Sequence, residues 1–397
     1  MNQDAVYLNA CGMLNALGND KATILKRLGE GDTSGVVPWD VKVYDKTVYV
    51  GQVKASLPVI PAQFKAFDCR NNRLMLAALA QIQTEVDNLK QCYPLERIAI
   101  VLGSSTSGIL EGENALEQKA KTGSFPEEFD YRQQEIGTAA IFLRDYLGLQ
   151  GLAYTVSTAC SSSAKVFASA RRLIHSGLCD AAIIGGVDSL CRLTVNGFSS
   201  LESVASGRCN PMSANRDGIN IGEAAALYIL SRETADIELL GVGESSDAHH
   251  MSAPDPEGKG AVAAMQAALV DAGMGADEIS YINMHGTATP LNDAMESLAI
   301  AQVFGCETPV SSTKPLVGHT LGAAGATEVG FCWLLLSQPE TRIMLPPHRW
   351  DGVADDGLPA IELVSQEQML NISSGTAFLS NSFAFGGNNA SVIIARR

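Results

Sequence analysis

Four segments of this 397-residue chain occur twice, in the same order. Residues 5–18 (AVYLNACGMLNALG) and 237–250 (IELLGVGESSDAHH) each run an apolar strand into Gly and small residues. Residues 97–107 (RIAIVLGSSTS) and 278–289 (EISYINMHGTAT) each end a strand in a turn-rich loop. A helical pattern follows Cys160, and another follows Gly318-His-Thr-Leu-Gly-Ala-Ala-Gly. Residues 222–230 (GEAAALYIL) match 387–395 (GNNASVIIA). An echo in this order predicts two similar halves, residues 1–233 and 234–397, packed as one unit. Each half alternates strands with helical patterns, so the class is α/β, with sheets covered by helices.

Length alone suggests two or three domains' worth of core. The 46% hydrophobic and 18% charged content predicts a well-buried globular protein. Apolar runs break at Gly, Asp or Ser before reaching spanning length, so no membrane helix is expected. The start, Met-Asn-Gln-Asp-Ala-Val, lacks the basic stretch of a secretion signal. Nine cysteines are scattered without a C-x-x-C pair, which predicts no metal knot and a reducing, cytoplasmic setting. A net charge of −15 disfavours nucleic acid as a partner, because the phosphate term would be repulsive.

The residues with chemical promise lie where apolar strands give way to Gly and small polar residues. In Thr155-Val-Ser-Thr-Ala-Cys-Ser-Ser-Ser-Ala, Cys160 precedes a helix marked by Val166, Phe167, Ala170, Leu173 and Ile174 and closed by Gly177. A helix mouth favours a thiolate. His285-Gly-Thr-Ala-Thr-Pro-Leu-Asn-Asp starts a second helix, predicted to turn Met295, Leu298, Ala299, Gln302 and Val303 inward and to stop at Gly305. Asp293 and Glu296 are placed to cap it. Ser311-Ser-Thr-Lys-Pro-Leu-Val-Gly-His carries Lys314 and His319 among small residues. Asn381-Ser-Phe-Ala-Phe-Gly-Gly-Asn-Asn can aim backbone N–H groups at a ligand. No phosphate-cradle pattern accompanies its glycines, which sets nucleotide binding aside.

A thiolate, two histidines, a lysine and backbone donors together suit one reaction. The sulfur accepts an acyl group from a thioester. Loss of CO2 from a malonyl thioester then supplies a carbanion, whose enolate oxygen two imidazole N–H groups stabilise. A non-decarboxylating thiolase, a Cys-His peptidase and a non-catalytic scaffold are the competing readings.

The motifs TACSSS, HGTATPLND, STKPLVGH and NSFAFGGNN, in this order, make the chain resemble the elongating β-ketoacyl-acyl-carrier-protein synthases, decarboxylating condensing enzymes with the thiolase fold. The resemblance spans nearly the whole chain. It implies a five-layer αβαβα fold from duplicated halves, with Cys160 as nucleophile and His285 and His319 completing a triad. It implies that Lys314 supports the histidines and that Glu296 belongs to a polar network behind them. It further implies an oxyanion hole of the Cys160 and Phe385 N–H groups, and an acyl gate at Phe383 and Phe385. No metal and no resident cofactor are implied, since phosphopantetheine arrives on the acyl carrier protein. The family forms dimers, and the partner here would be an identical chain or a homologous chain-length-factor subunit. Lys65, Arg70, Arg73 and Arg208 are the candidates for docking the acidic carrier. The chain departs from the family pattern at Ala384, often Gly, at Asn388, often Thr, and in Gly207-Arg-Cys-Asn-Pro-Met. These departures look closer to specialised condensing enzymes, such as those making aryl polyenes, than to housekeeping fatty-acid synthases.

Overall fold

The computed structural model describes residues 5–40 and 47–397, so the first four residues of the N-terminal stretch read above lie outside the described residues. The first half contributes five main strands: β1 (Tyr7–Leu14), β2 (Ile98–Gly103), β3 (Ala153–Val156), β4 (Ala181–Asp188) and β5 (Ala224–Ser231). The second contributes β6 (Ile237–Ser246), β7 (Ile279–Asn283), β8 (Pro309–Ser311), β9 (Ala377–Ala384) and β10 (Asn388–Arg396). In space the first set runs β1-β5-β4-β2-β3 and the second runs β6-β10-β9-β7-β8, the same permutation. The directions agree as well. The first two pairings in each set are antiparallel, and the last two are parallel. Each echo in the sequence therefore falls on equivalent strands or helices of two duplicated halves. The two sets meet edge to edge through Tyr7 and Glu238.

Six helices complete the layers: α1 (Arg70–Ala80), α2 (Thr138–Leu147), α3 (Ser162–His175), α4 (Lys259–Ala272), α5 (Pro290–Phe304) and α6 (Ala324–Leu336). Helices α1 and α2 cover the outer face of the first sheet, and α4, with α5 beside it, covers the outer face of the second. Helices α3 and α6 lie between the sheets and touch strands of both, which makes the αβαβα sandwich. The sequences match these positions. Helix α6, AGATEVGFCWLLL, is buried at every residue except Trp333, as a helix enclosed on all sides requires. Its close approach to α3 depends on Gly325, where a Cβ would stand 2.6 Å from the backbone nitrogen of Ala164. A large central core joins both halves, and separate outer cores lie under α1/α2 and under α4/α5.

Helix α5 departs from expectation. Met295, Ala299 and Val303 do pack inward, but Leu298 and Gln302 are exposed. The buried face instead carries Asn292, Asp293 and Glu296, which serve the loop before the helix. Reading phase from apolar residues alone misses a helix whose inner face is partly polar.

Candidate active site

Cys160 sits in the loop from β3 to α3, its side chain 5% exposed. The residue before it, Ala159, has φ +52°, which turns the strand end sharply toward the helix. The loops bearing the histidines contain the same device at Ala288 (φ +63°) and Leu321 (φ +54°). Left-handed backbone costs a non-glycine residue ~1–2 kcal/mol. Three such residues within three positions of Cys160, His285 and His319 mark loops held in place by their surroundings.

These loops bring the three side chains together. Nε2 of His319 is 2.9 Å from the Cys160 sulfur, within hydrogen-bond reach. The sulfur and one nitrogen from each of His285 and His319 all lie within 4.8 Å of one another. The rings stand nearly perpendicular, at 88° with centroids 5.3 Å apart. The thiol differs from the sequence expectation. Burial pushes its pKa up to about 11, although the N–H groups of Phe385 and Cys160 and the charge of Lys314 favour the anion. Desolvation outweighs the helix end, so the resting group is a thiol. Alkylation of the resting protein by iodoacetamide should therefore rise about tenfold per pH unit from pH 7 to 9, because only the thiolate reacts. A plateau below pH 8 would contradict this environment.

His285 is placed by Glu296, which does not cap α5. Its carboxylate accepts the N–H groups of His285 and Gly286, at 2.7 and 2.6 Å. Asp293 likewise accepts from Ala288 and Met212, stitching the loop to the preceding segment. Burial raises the Glu296 carboxyl to about 7, against the pull of those two N–H groups. Both imidazoles are driven well below the ordinary histidine range by burial, with the Lys314 charge adding to it. They are neutral at physiological pH, so each ring carries one N–H that it can donate to an enolate oxygen.

Lys314 makes no direct hydrogen bond to either ring among the described residues. Its Nζ lies 2.6 Å from Oε1 of Glu328, and both side chains are buried. It thus acts on the histidines through its field, while Glu328 holds it in place. The Cys-His-His cluster has ligand types that could hold a metal. Yet Nδ1 of each ring lacks a hydrogen-bond partner among the described residues, whereas metal-bound imidazoles are oriented by such partners. The adjacent lysine charge would also oppose a dication. The residues fit acid–base and nucleophilic chemistry better.

A cavity of about 280 Å³ leads to the sulfur, lined by Phe198, Leu201, Asp247, Thr287, Phe383 and Phe385 among others. Phe383 packs edgewise against His285, and Phe385 against Phe198. Ala384 also lines the cavity. Asn388 accepts a hydrogen bond from Lys165 of α3, at 3.3 Å.

The four docking candidates divide. Arg70 is a structural residue: its guanidinium grips the fully buried Glu223, with Nε 2.8 Å from Oε2. Arg73 is paired with Asp68 at 2.7 Å. Together with Lys65 they line a second cleft, apart from the walls of the Cys160 cavity, which also contains Glu111 and Glu128. Lys65 and Arg208 are exposed and form no ion pair among the described residues. Arg70→Ala should therefore lower stability by about 3 kcal/mol by stranding Glu223. Lys65→Glu with Arg208→Glu should instead slow encounter with an acidic carrier about tenfold at low salt, with the defect fading at high salt. Chemical denaturation and salt-dependent kinetics separate the two effects.

Sequence reasoning missed Glu328, although a lone acid in an otherwise apolar helix was a visible signal. It also missed Phe198, which nothing in its local sequence marks, and Asp188, which ends the apolar run of β4.

Comparison with known proteins identifies the family. Residues 5–235 match the family model "Beta-ketoacyl synthase, N-terminal domain", and residues 237–346 match "Beta-ketoacyl synthase, C-terminal domain". The chain is 30% identical to nodulation protein E of Rhizobium meliloti (strain 1021), with 97% of each chain covered. It is also 30% identical to 3-oxoacyl-[acyl-carrier-protein] synthase 2 of Vibrio cholerae serotype O1, with each covered completely. Among solved structures, it superposes on a chain of the ketosynthase ApeO in complex with its chain length factor ApeC from Xenorhabdus doucetiae. That match has a TM-score of 0.94 and 48% identity, and covers 99% of this chain and 98% of the other. A beta-ketoacyl synthase from Burkholderia phymatum STM815 matches at a TM-score of 0.85 and 27% identity, over 99% of both chains. With the two family models matching residues 5–235 and 237–346 and a relative of 30% identity covered in full, this chain, with its buried thiol between two imidazoles on a duplicated five-layer frame, belongs to the beta-ketoacyl synthase family.

Proposed function

We propose that Cys160 carries the growing acyl group and that His285 and His319 stabilise the enolate that extends it. The reaction is the decarboxylative condensation of an acyl thioester with a malonyl group, both delivered on acyl carrier protein. The Cys160 sulfur attacks the acyl carbonyl, and the thiol proton ends on the departing pantetheine sulfur. The malonyl carbon–carboxylate bond then breaks, CO2 leaves, and its electron pair forms an enolate. The enolate carbon attacks the acyl-Cys carbonyl, whose oxyanion the N–H groups of Cys160 and Phe385 receive. The carbon–sulfur bond breaks, and Cys160 regains a proton from water. Lys314 and Glu328 hold the field around the imidazoles, Glu296 holds the His285 loop, and Phe383 and Phe385 gate the cavity.

One observation carries this reading: a thiol and two neutral imidazole nitrogens lie within 4.8 Å of one another beside an open cavity. Replacing malonyl by acetyl on the second carrier tests it. Product and CO2 should form with malonyl alone, and product from acetyl would favour the thiolase reading.

The pathway is proposed to be specialised, of the aryl-polyene or polyketide type, and the setting cytoplasmic. The 48% identity to a chain of the ApeO–ApeC complex supports this pathway, and supports a homologous subunit as partner. Among the described residues no helix is long and apolar enough to cross a membrane. A purely scaffolding subunit would have no use for the intact nucleophile and both histidines. Because both imidazoles are held neutral, the condensation rate should show no histidine limb near pH 6.5. A pH–rate profile under acyl-enzyme saturation checks this.

A further inference from the structure

We infer that Asp188 is a positioning residue that sets His319 against Cys160 across the junction of the two halves. The inference rests on the reading of the Cys160 site given above. Asp188 ends β4, a strand of the first half, and is fully buried. Its carboxylate receives six donors, all of them neutral. Ser104 Oγ donates at 2.7 Å, Ser105 N–H at 2.9 Å and Ser105 Oγ at 2.7 Å. Thr106 N–H donates at 2.9 Å and Thr106 Oγ1 at 2.8 Å. These five come from the loop after β2, also in the first half. The sixth, the Gly322 N–H at 2.5 Å, comes from the second half.

A carboxylate offers about four lone-pair directions, so six donors saturate it. Donation of this kind is charge-assisted and roughly twice as strong as between neutral groups. A network this satisfied in a dry interior holds one geometry rigidly. The Gly322 contact matters because of where it sits. Gly322 lies three residues after His319 and one after the left-handed Leu321. On the other side, the His319 N–H donates to Asn220 at 2.6 Å, and its carbonyl accepts from Gly222 at 2.8 Å. His319 is therefore clamped at its own backbone and again at Gly322. Both clamps tie it to the half that carries Cys160, since Asn220 and Gly222 belong to that half as Asp188 does. Ser105 Oγ reinforces it by accepting from the same Gly322 N–H at 3.0 Å. No side chain fits between them, since a Cβ on Gly322 would stand 2.7 Å from Asp188 Oδ2. His285 has its own separate support in Glu296. Each imidazole loop is thus held by buried carboxylate on its backbone N–H groups, Glu296 and Asp293 for His285 and Asp188 for His319.

The test compares wild type, Asp188→Asn and Ser105→Ala in folded form, verified by thermal melting and oligomeric state. Asp188→Asn turns an amide N–H against the donors and releases the Gly322 end of the clamp. The expected result is a kcat for condensation about 100-fold lower, the scale of a misplaced reacting group, with KM for malonyl carrier protein changed less than about twofold. Loss of the His319 contact should also slow iodoacetamide alkylation of Cys160 at pH 8 by about tenfold. A merely structural role would lower the melting temperature and leave alkylation unchanged. Ser105→Ala, a smaller lesion, carries the same test if the asparagine variant does not fold, with kcat expected to fall about tenfold. Folded variants whose kcat and alkylation both stay within about threefold of wild type would overturn the inference. Absence of CO2 release by wild type would instead overturn the condensing reading. The alkylation comparison would still decide whether Asp188 positions His319.

Discussion

Cys160→Ala is expected to abolish acyl loading and to lower condensation by at least about a thousandfold, on the scale of losing a covalent nucleophile. Intact-mass analysis after incubation with acyl carrier protein reads the loading directly. The wild type should gain the mass of one acyl group, and the variant none. The other eight cysteines are no alternative. Six are buried without a histidine neighbour of this kind, and Cys92 and Cys306 are exposed and distant from the cavity lining. The fold should survive the substitution. The thiol is small, and the helix it precedes is held by apolar packing along Val166, Phe167, Ala170 and Ile174. Normal condensation by the variant would remove Cys160 from the chemistry altogether.

Lys314→Ala should damage both stability and chemistry, by separable routes. Removing the ammonium strands Glu328 in the central layer, where an uncompensated buried charge costs about 3–5 kcal/mol. Removing it also takes away, after burial, the next largest influence that holds the imidazoles neutral. The sign follows from its placement: a nearby cation lowers a histidine pKa, so its loss moves both values up toward the ordinary range. The variant should gain a histidine limb on acidification that sets in at higher pH than in the wild type. A second substitution separates the routes. Lys314→Met with Glu328→Leu replaces the buried pair by apolar side chains and should recover most of the stability. It should leave the acid limb in place. Denaturant titration and a pH–rate profile measure the two effects independently.

The parts of the site legible in the sequence were those whose chemistry demands a particular residue type at a strand end. Cys160, His285, His319 and Lys314 each stand where an apolar run yields to Gly and small residues, and β-strand ends in layered α/β folds are where loops converge. The duplicated order of strands was legible for a related reason. Repeated elements with the same connections must pair in the same permutation, and they do. What failed was local reasoning about residues whose partners are remote in sequence. Asp293 and Glu296 carry the letters of a helix cap, but Glu296 grips the backbone ten and eleven residues before it. Arg70 resembled a solvated docking charge because its partner, Glu223, is 153 residues away. The Cys160 thiol was read from the helix end beside it. The dominant influence, desolvation between two sheets, comes from the whole tertiary packing.

The most direct test of the central claim is a single turnover of acyl-loaded enzyme with malonyl carrier protein. Acyl mass on Cys160 and released CO2 are followed in the same sample. The account predicts that one CO2 appears for each acyl group leaving the sulfur, with that group recovered as a two-carbon-longer β-keto thioester on the carrier. Loss of the acyl group without matching CO2, or CO2 release with the acyl group still on Cys160, would contradict it.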